Sequence, residues 1–253
     1  MTLHQSLQSL FPLADPNDSI HKIDDIKNIL YGPRAFTVYK AAFSRDLSKS
    51  VTIPAFDFLA QELLDYMNKT TVETQETYDE WHHNICIEFL NKLNETSPRQ
   101  KSYGKAQKCL NMAMKYLYCC NDAPSVFAYK KFDYCHMALD GYTYNAPQTQ
   151  YPLSFYRDYV HFWAYGNEPK GLYSWSNLEH SKYTNTNKFI RDKIECFPRT
   201  FNDYLNACKS EGLFTSVNPI SDLDIRPLTP FEAEFFIWEM CKSNKRAAMN
   251  QLF

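Results

Sequence analysis

The apolar residues of this chain recur three and four positions apart in one segment after another, and this period limits the fold more than any other feature. The clearest case runs from residue 74 to residue 93, with apolar positions at Tyr78, Trp81, Ile85, Phe89 and Leu93. Side chains at this spacing lie on one face of an α-helix. Only 6 glycines occur in 253 residues, fewer than a barrel or a dinucleotide-binding sheet needs. The sequence therefore predicts an all-α protein.

The length of the chain suits a single helical domain over residues 1–253, or two closely packed helical lobes with a cleft between them. Further helices are predicted over residues 3–11, about 18–31, 34–43, after Pro54, and over 102–118, 153–163, 188–194 and 198–209. The polar residues 165–188 are predicted to lie between helices. Thr229, Pro230 and Glu232 have the pattern of a helix cap and predict a last helix, whose aromatic residues pack on the body.

The charges of the chain nearly cancel, with a formal net charge of −2 at pH 7. A broad nucleic-acid-binding surface is strongly basic, so a DNA partner is expected to contact only a local basic patch. The 8 cysteines lack the regular spacing of a disulfide scaffold, no secretory h-region follows Met1, and no apolar run has the length of a membrane span. We therefore expect a soluble cytoplasmic protein with reduced cysteines and no membrane partner. The oligomeric state stays open.

The stretch from Ser102 to Tyr118 has two different faces when it forms a helix. One face is an apolar stripe of Leu110, Ala113, Met114 and Leu117. The other carries Lys108, Asn111 and Lys115 at positions i, i+3 and i+7. Because most lysines are exposed, a solvated second face is the simpler interpretation. The alternative is a functional face toward a cleft, opposite Asp140, although an aspartate at that place is also an ordinary helix N-cap.

One pair of side chains has a spacing that suits a metal ion, since His82 and Cys86 lie four residues apart on one helix face. A structural zinc site needs four ligands. The nearest further candidates contain no CxxC pair; they are Cys119, Cys120, Cys135 and His136. Polar packing in the core is the favoured interpretation, and we expect neither a metal ion nor a cofactor.

Two short strings resemble the active-site strings of helix-hairpin-helix DNA glycosylases: Gly104 to Asn111 (GKAQKCLN) and Ala138 to Tyr142 (ALDGY). Lyase-type members of that superfamily have a glycine turn, then a catalytic lysine in a Lys-Thr-Ala-Asn-like string, and later a catalytic aspartate in a Val-Asp-Thr-His-like string. The separation of lysine and aspartate is similar to that of the archaeal 8-oxoguanine DNA glycosylases. The resemblance covers about residues 74–145 and implies a helix-hairpin-helix-like element near residues 90–118. The second glycine of the usual hairpin and the Thr-His after the aspartate are missing.

This resemblance implies a DNA base-excision glycosylase that acts on a flipped-out damaged or modified base, with β-lyase activity where the lysine forms a Schiff base. Lys108 corresponds to the nucleophile. Asp140 corresponds to the carboxylate that stabilises the developing oxocarbenium ion. Asn111, Lys115 and His136 are expected to support this pair, Lys115 because a neighbouring cation favours the neutral form of an amine.

The resemblance also implies where DNA binds. Backbone N–H groups and basic side chains at the hairpin are expected to hold a phosphate; the residues are Arg99, Lys101, Ser102, Gly104 and Lys105. An extruded base needs stacking and edge hydrogen bonds. The side chains expected to supply them are Trp81, His82, Tyr142 and Trp175.

Two other functions fit the same sequence. A non-catalytic helical module would use the hairpin to bind nucleic acid or a protein. A nuclease or toxin would use Arg157 and His161, which are four residues apart in a tyrosine-rich helical segment.

Overall fold

The computed structural model describes residues 3–11, 23–31, 49–68, 72, 74–95, 102–120, 131–139, 178–196, 199–210, 212–221 and 226–239. About 75% of these residues are helical, and the β-structure among them is an isolated bridge between Thr200 and Pro227. The prediction of an all-α protein is therefore confirmed. Among the described helices, none has the length and apolar content that would let it cross a membrane.

The helices follow one another along the chain in a simple order. They are α1 (Leu3–Ser9), α2 (Ile23–Tyr31), α3 (Lys49–Asn68), α4 (Gln75–Asn94), α5 (Tyr103–Tyr118), α6 (His180–Cys196), α7 (Phe201–Ser210) and α8 (residues 230–239). The helices predicted over residues 34–43 and 153–163 lie outside the described residues, as do Asp140, Tyr142, Arg157, His161, Trp175, Arg99 and Lys101.

Two helix starts were predicted too late. Helix α3 begins at Lys49, so Pro54 lies inside the helix and does not open it. Helix α6 begins at His180, within the polar region expected to lie between helices. Its buried polar side chains bond to the preceding turn: the Thr186 hydroxyl donates to the Lys182 carbonyl at 2.8 Å, and the Asn187 amide donates to the Tyr183 carbonyl at 3.2 Å. These bonds make polar residues compatible with a helix interior.

Two other helix starts follow their sequence signals. At α4, the Thr74 side chain accepts from the Thr77 backbone N–H at 3.2 Å, and the Thr77 hydroxyl accepts in return from the Thr74 N–H at 3.2 Å. At α8, the Glu232 N–H donates to the Thr229 hydroxyl at 3.2 Å, and the Thr229 N–H donates to the Glu232 carboxylate at 3.0 Å. Each reciprocal pair satisfies N–H groups that a helix start otherwise leaves without acceptors. The predicted cap of the last helix is confirmed.

The chain divides into two compact units. The first unit comprises Met1–Phe11, His136–Trp175 and Ser181–Phe253. Its described core centres on α8, where Phe235 meets the Phe11 ring edge-on at 5.9 Å and Phe236 stacks on Tyr204 at 5.5 Å. The aromatic residues of the last helix therefore pack inside this unit, as the sequence predicted.

The second unit comprises Pro12–Cys135 and Ser176–His180. Within it, α4 packs against α3 and α5, and α2 packs against the same two helices. Phe56 of α3 meets Phe89 of α4 edge-on at 5.2 Å. Helix α5 is the central element of this unit, because every residue from Tyr103 to Tyr118 is buried except Lys105.

Candidate functional site

Helix α5 buries the polar face that the sequence predicted, as well as its apolar stripe. Lys108 is 7% exposed, Asn111 1% and Lys115 3%. A solvated second face is therefore wrong. The amphipathic pattern had no way to show this, because it assigns polar residues to the solvent side by default.

Buried lysines are unusual, because a charged amine loses hydration in the interior and is rarely fully buried without partners. Both Lys108 and Lys115 interact with other groups of the protein. Next to Lys108, burial raises the pKa of the Cys109 thiol, and the positive charge of Lys108 acts in the opposite direction. Lys108 thus lies in a largely desolvated part of the second unit.

A row of buried polar groups connects α5 to α4. The Gln107 amide donates to the Gly104 carbonyl at 2.8 Å, and the Asn111 amide donates to the Gln107 side-chain oxygen at 3.1 Å. The Asn111 oxygen lies 2.9 Å from His82 Nε2, and His82 Nδ1 lies 3.8 Å from Cys86 Sγ. Gln107 is 0% exposed and His82 1%. The predicted proximity of His82 and Cys86 is therefore present, as part of a polar network in the core.

The first turn of α5 has backbone partners that the sequence did not reveal. The Gly104 N–H donates to the Leu178 carbonyl at 2.9 Å, and the Lys105 N–H donates to the Ser102 carbonyl at 3.0 Å. The expectation that exposed N–H groups from Ser102 to Lys105 hold a phosphate does not fit these two amides. A phosphate would have to displace Leu178 to reach the Gly104 N–H.

Beside that turn, three aromatic rings from separate parts of the second unit pack together. His83 of α4 stacks on His180 with ring centroids 3.7 Å apart and an interplanar angle of 29°, and Tyr103 of α5 lies 4.9 Å from His180. Burial lowers the pKa of His180, and His83 lowers it further. Sequence reasoning missed this cluster, because His83 and His180 are far apart in the chain and neither belongs to a motif.

The string before Asp140 is buried up to the last residue that the structure describes. All residues from Cys135 to Leu139 are buried. His136 Nδ1 lies 2.8 Å from the Tyr183 hydroxyl of α6. This contact holds His136, one of the predicted supporting residues, within the first unit. Asp140 itself lies outside the described residues.

The predicted base-pocket residue Trp81 belongs to an aromatic cluster in the second unit. Its ring lies 4.3 Å from the Tyr66 ring and 5.6 Å from the Tyr78 ring. The Tyr66 hydroxyl donates to the Lys131 carbonyl at 2.5 Å, and the Lys131 amine donates to the Tyr66 carbonyl. Trp81 is half-buried, whereas His82 points into the core. Trp81 alone of this pair has surface open to a ligand.

Within the described ranges, no group of three or more His, Cys, Asp or Glu side chains has an arrangement that could hold a metal ion. Six cysteines are buried free thiols; they are Cys86, Cys109, Cys119, Cys120, Cys135 and Cys208. Comparisons with known proteins add no family, because no protein-family model, no curated protein and no solved structure matches this chain.

Proposed function

We propose that this protein is a DNA base-excision glycosylase that acts on a flipped-out damaged or modified base, with Lys108 as the nucleophile and Asp140 as its carboxylate partner. The observation that carries the proposal is the burial of Lys108 on the central helix α5, at 7% exposure. A Schiff-base lysine works from a site with little bulk water, because excluding water protects the covalent intermediate from premature hydrolysis.

The proposed chemistry gives one role each to Lys108 and Asp140. The Lys108 amine attacks C1′ of the sugar as the bond from C1′ to the base breaks, and the base leaves with a proton. The Asp140 carboxylate stabilises the positive charge that develops on the sugar. The nitrogen lone pair then breaks the C1′–O4′ bond, O4′ takes up a proton from water, and the protonated Schiff base forms. Loss of a proton from C2′ of this Schiff base expels the 3′ phosphate.

The order of helices around Lys108 also supports the proposal. Helices α4 and α5 follow one another with a short connection and pack together, and Gly104 lies in the first turn of α5. Because the Gly104 N–H already donates to Leu178, we assign phosphate binding to the side chains of Arg99, Lys101 and Lys105. The base would stack on exposed aromatic surface, for which Trp81 is a candidate.

Borohydride trapping tests the proposal directly. Wild-type protein is incubated with duplexes that each contain one of a panel of damaged bases, and borohydride reduces any Schiff base to a stable adduct. We expect an adduct with at least one lesion, its complete loss in Lys108→Ala, and its retention in Lys188→Ala, a change of an exposed lysine on α6.

The other outcomes separate the alternatives. Release of free base without an adduct indicates a glycosylase that lacks lyase activity. Absence of both adduct and free base across the panel contradicts the proposal. Strand cleavage that survives Lys108→Ala and is lost in His161→Ala would identify a nuclease. Salt-dependent binding without turnover, weakened by Lys108→Ala, would identify a binding module.

A further inference from the structure

The buried polar row between α5 and α4 has a direction that the backbone determines. The Gly104 carbonyl can only accept, so the Gln107 group at 2.8 Å from it must be the amide nitrogen. The Gln107 oxygen therefore points to Asn111 and accepts from the Asn111 amide at 3.1 Å. The Asn111 oxygen is left to face α4.

This direction determines the protonation of the histidine across the helix interface. His82 Nε2 lies 2.9 Å from the Asn111 oxygen, which can only accept, so Nε2 must carry a hydrogen. In a neutral imidazole the other nitrogen then has none. Nδ1 accepts from the Cys86 thiol at 3.8 Å, and burial raises the pKa of that thiol against a smaller opposing effect of the Tyr103 hydroxyl. The thiol therefore keeps its proton.

We infer that this directional chain from the Gly104 carbonyl to the Cys86 thiol sets the rotation of α5 against α4, and that His82 is a positioning residue for Lys108. The consequence for catalysis rests on the proposed function. Lys108 follows Gln107 directly and shares a helix face with Asn111. One residue corresponds to about 100° around a helix, so Gln107 lies about 100° and Asn111 about 60° from Lys108 on the same side of the helix. Because both side chains are fixed against their partners, the direction in which the Lys108 side chain leaves the backbone is fixed as well.

This row of hydrogen bonds also rules out His82 as a residue of the predicted base pocket. Its ring is 1% exposed, and both ring nitrogens have partners within the core. Reversing any one group of this hydrogen-bonded row would bring two acceptors or two donors together, and a buried polar group without a complementary partner is destabilising. The arrangement is therefore specific for the amide and imidazole groups present.

The first experiment reads the tautomer of His82 without any substrate. Long-range ¹H–¹⁵N correlation spectra of protein labelled at its 7 histidines distinguish the Nε2–H, Nδ1–H and doubly protonated forms. The signals of His82 are those missing from His82→Gln. We expect the Nε2–H form at neutral pH. The Nδ1–H form or the doubly protonated form would overturn the inference.

The second experiment compares three variants by the rate of borohydride-trapped adduct formation. His82→Gln keeps an N–H donor for the Asn111 oxygen, and its rate is expected to stay close to wild type. His82→Leu removes the donor, and Asn111→Asp places two acceptors against each other at Gln107. Both are expected to lower the rate on the order of 10- to 100-fold, as misplaced catalytic groups do. Wild-type rates in His82→Leu and Asn111→Asp would contradict the positioning role.

A third measurement separates this inference from the proposed function. Reductive methylation followed by peptide mass mapping measures how well Lys108 is protected, with the exposed Lys188 as the internal reference. We expect Lys108 to be labelled at the same rate in wild type and His82→Gln, and at a different rate in folded Asn111→Asp and His82→Leu, where the direction of its side chain has changed. If wild type forms no adduct and releases no free base with any lesion, the proposed function fails, whereas the tautomer and the labelling still decide the inference. Equal labelling in all folded variants would overturn it. If both variants unfold, the tautomer decides.

Discussion

Buried polar residues give this protein its most specific interactions at the scale of single side chains. Lys108, Asn111 and Lys115 share one face, as helical periodicity predicted, but that face is buried. A sequence pattern shows which side chains share a face of a helix. Whether that face is buried depends on which other helices pack around it. The bond between Asn111 and His82 joins helices separated by the 95–102 connection, and no local spacing rule contains such a pair.

The stacked histidines His83 and His180 predict how stability responds to acid. The pKa of His180 is lowered below its ordinary value of 6.5, so the unfolded chain binds its proton more readily than the folded chain. The contribution of neutral His180 to the unfolding free energy is fully present above pH 6.5. It is lost as the pH falls through the lowered pKa that His180 has in the folded protein. We therefore expect wild type to lose more unfolding free energy than His180→Gln between about pH 7.5 and about pH 5.

Urea denaturation across this pH range measures the difference. Other titrating groups are common to both proteins, so subtracting the two curves isolates His180. Parallel curves for wild type and His180→Gln would show that the stacked pair has no proton linkage.

At the scale of elements, the sequence predicted which segments are helical better than it predicted the residues at which the helices start. The cap predicted at Thr229 is present, and α4 starts near the predicted residue with a cap at Thr74, because a cap depends on residues three positions apart. The start of α6 at His180 was missed, because the apolar face of its first turns consists of Tyr183 among polar residues. Packing of the helix, not local sequence preference, places that boundary.

The central position of α5 predicts an asymmetry between two aliphatic side chains. Leu117 of α5 is 0% exposed, whereas Ile87 of α4 is 39% exposed. Leu117→Ala is expected to lower the unfolding free energy by about 2–5 kcal/mol, because the cavity it leaves is enclosed by other helices. Ile87→Ala is expected to cost less than about 1 kcal/mol.

Chemical denaturation of both variants, with unchanged far-UV circular dichroism as the check on folding, measures the two costs. Similar losses in Leu117→Ala and Ile87→Ala would contradict the central placement of α5.

At the scale of the whole molecule, charge limits how DNA can be bound. With a net charge of −2, the protein lacks the strong positive field of a general DNA-binding protein. In the proposed function, the contacts come from the three cations Arg99, Lys101 and Lys105. Each neutralised phosphate contributes about −0.9 to the slope of log K against log salt concentration, so we expect a slope of about −3.

Fluorescence anisotropy of a labelled duplex at several salt concentrations gives this slope. Combined replacement of Arg99, Lys101 and Lys105 by alanine should bring it close to zero, while Lys188→Ala leaves it unchanged. A wild-type slope of about −6 or steeper would require a larger basic surface than the sequence predicts.

The bond from the Gly104 N–H to the Leu178 carbonyl also has a consequence for the order of events during synthesis. Helix α5 leaves the ribosome well before residues 176–180, yet these residues belong to the same compact unit. The second unit therefore cannot reach its final hydrogen bonding while the nascent chain ends before Leu178. While the residues between α5 and Leu178 are being synthesised, the Gly104 N–H in the first turn of α5 still lacks this acceptor.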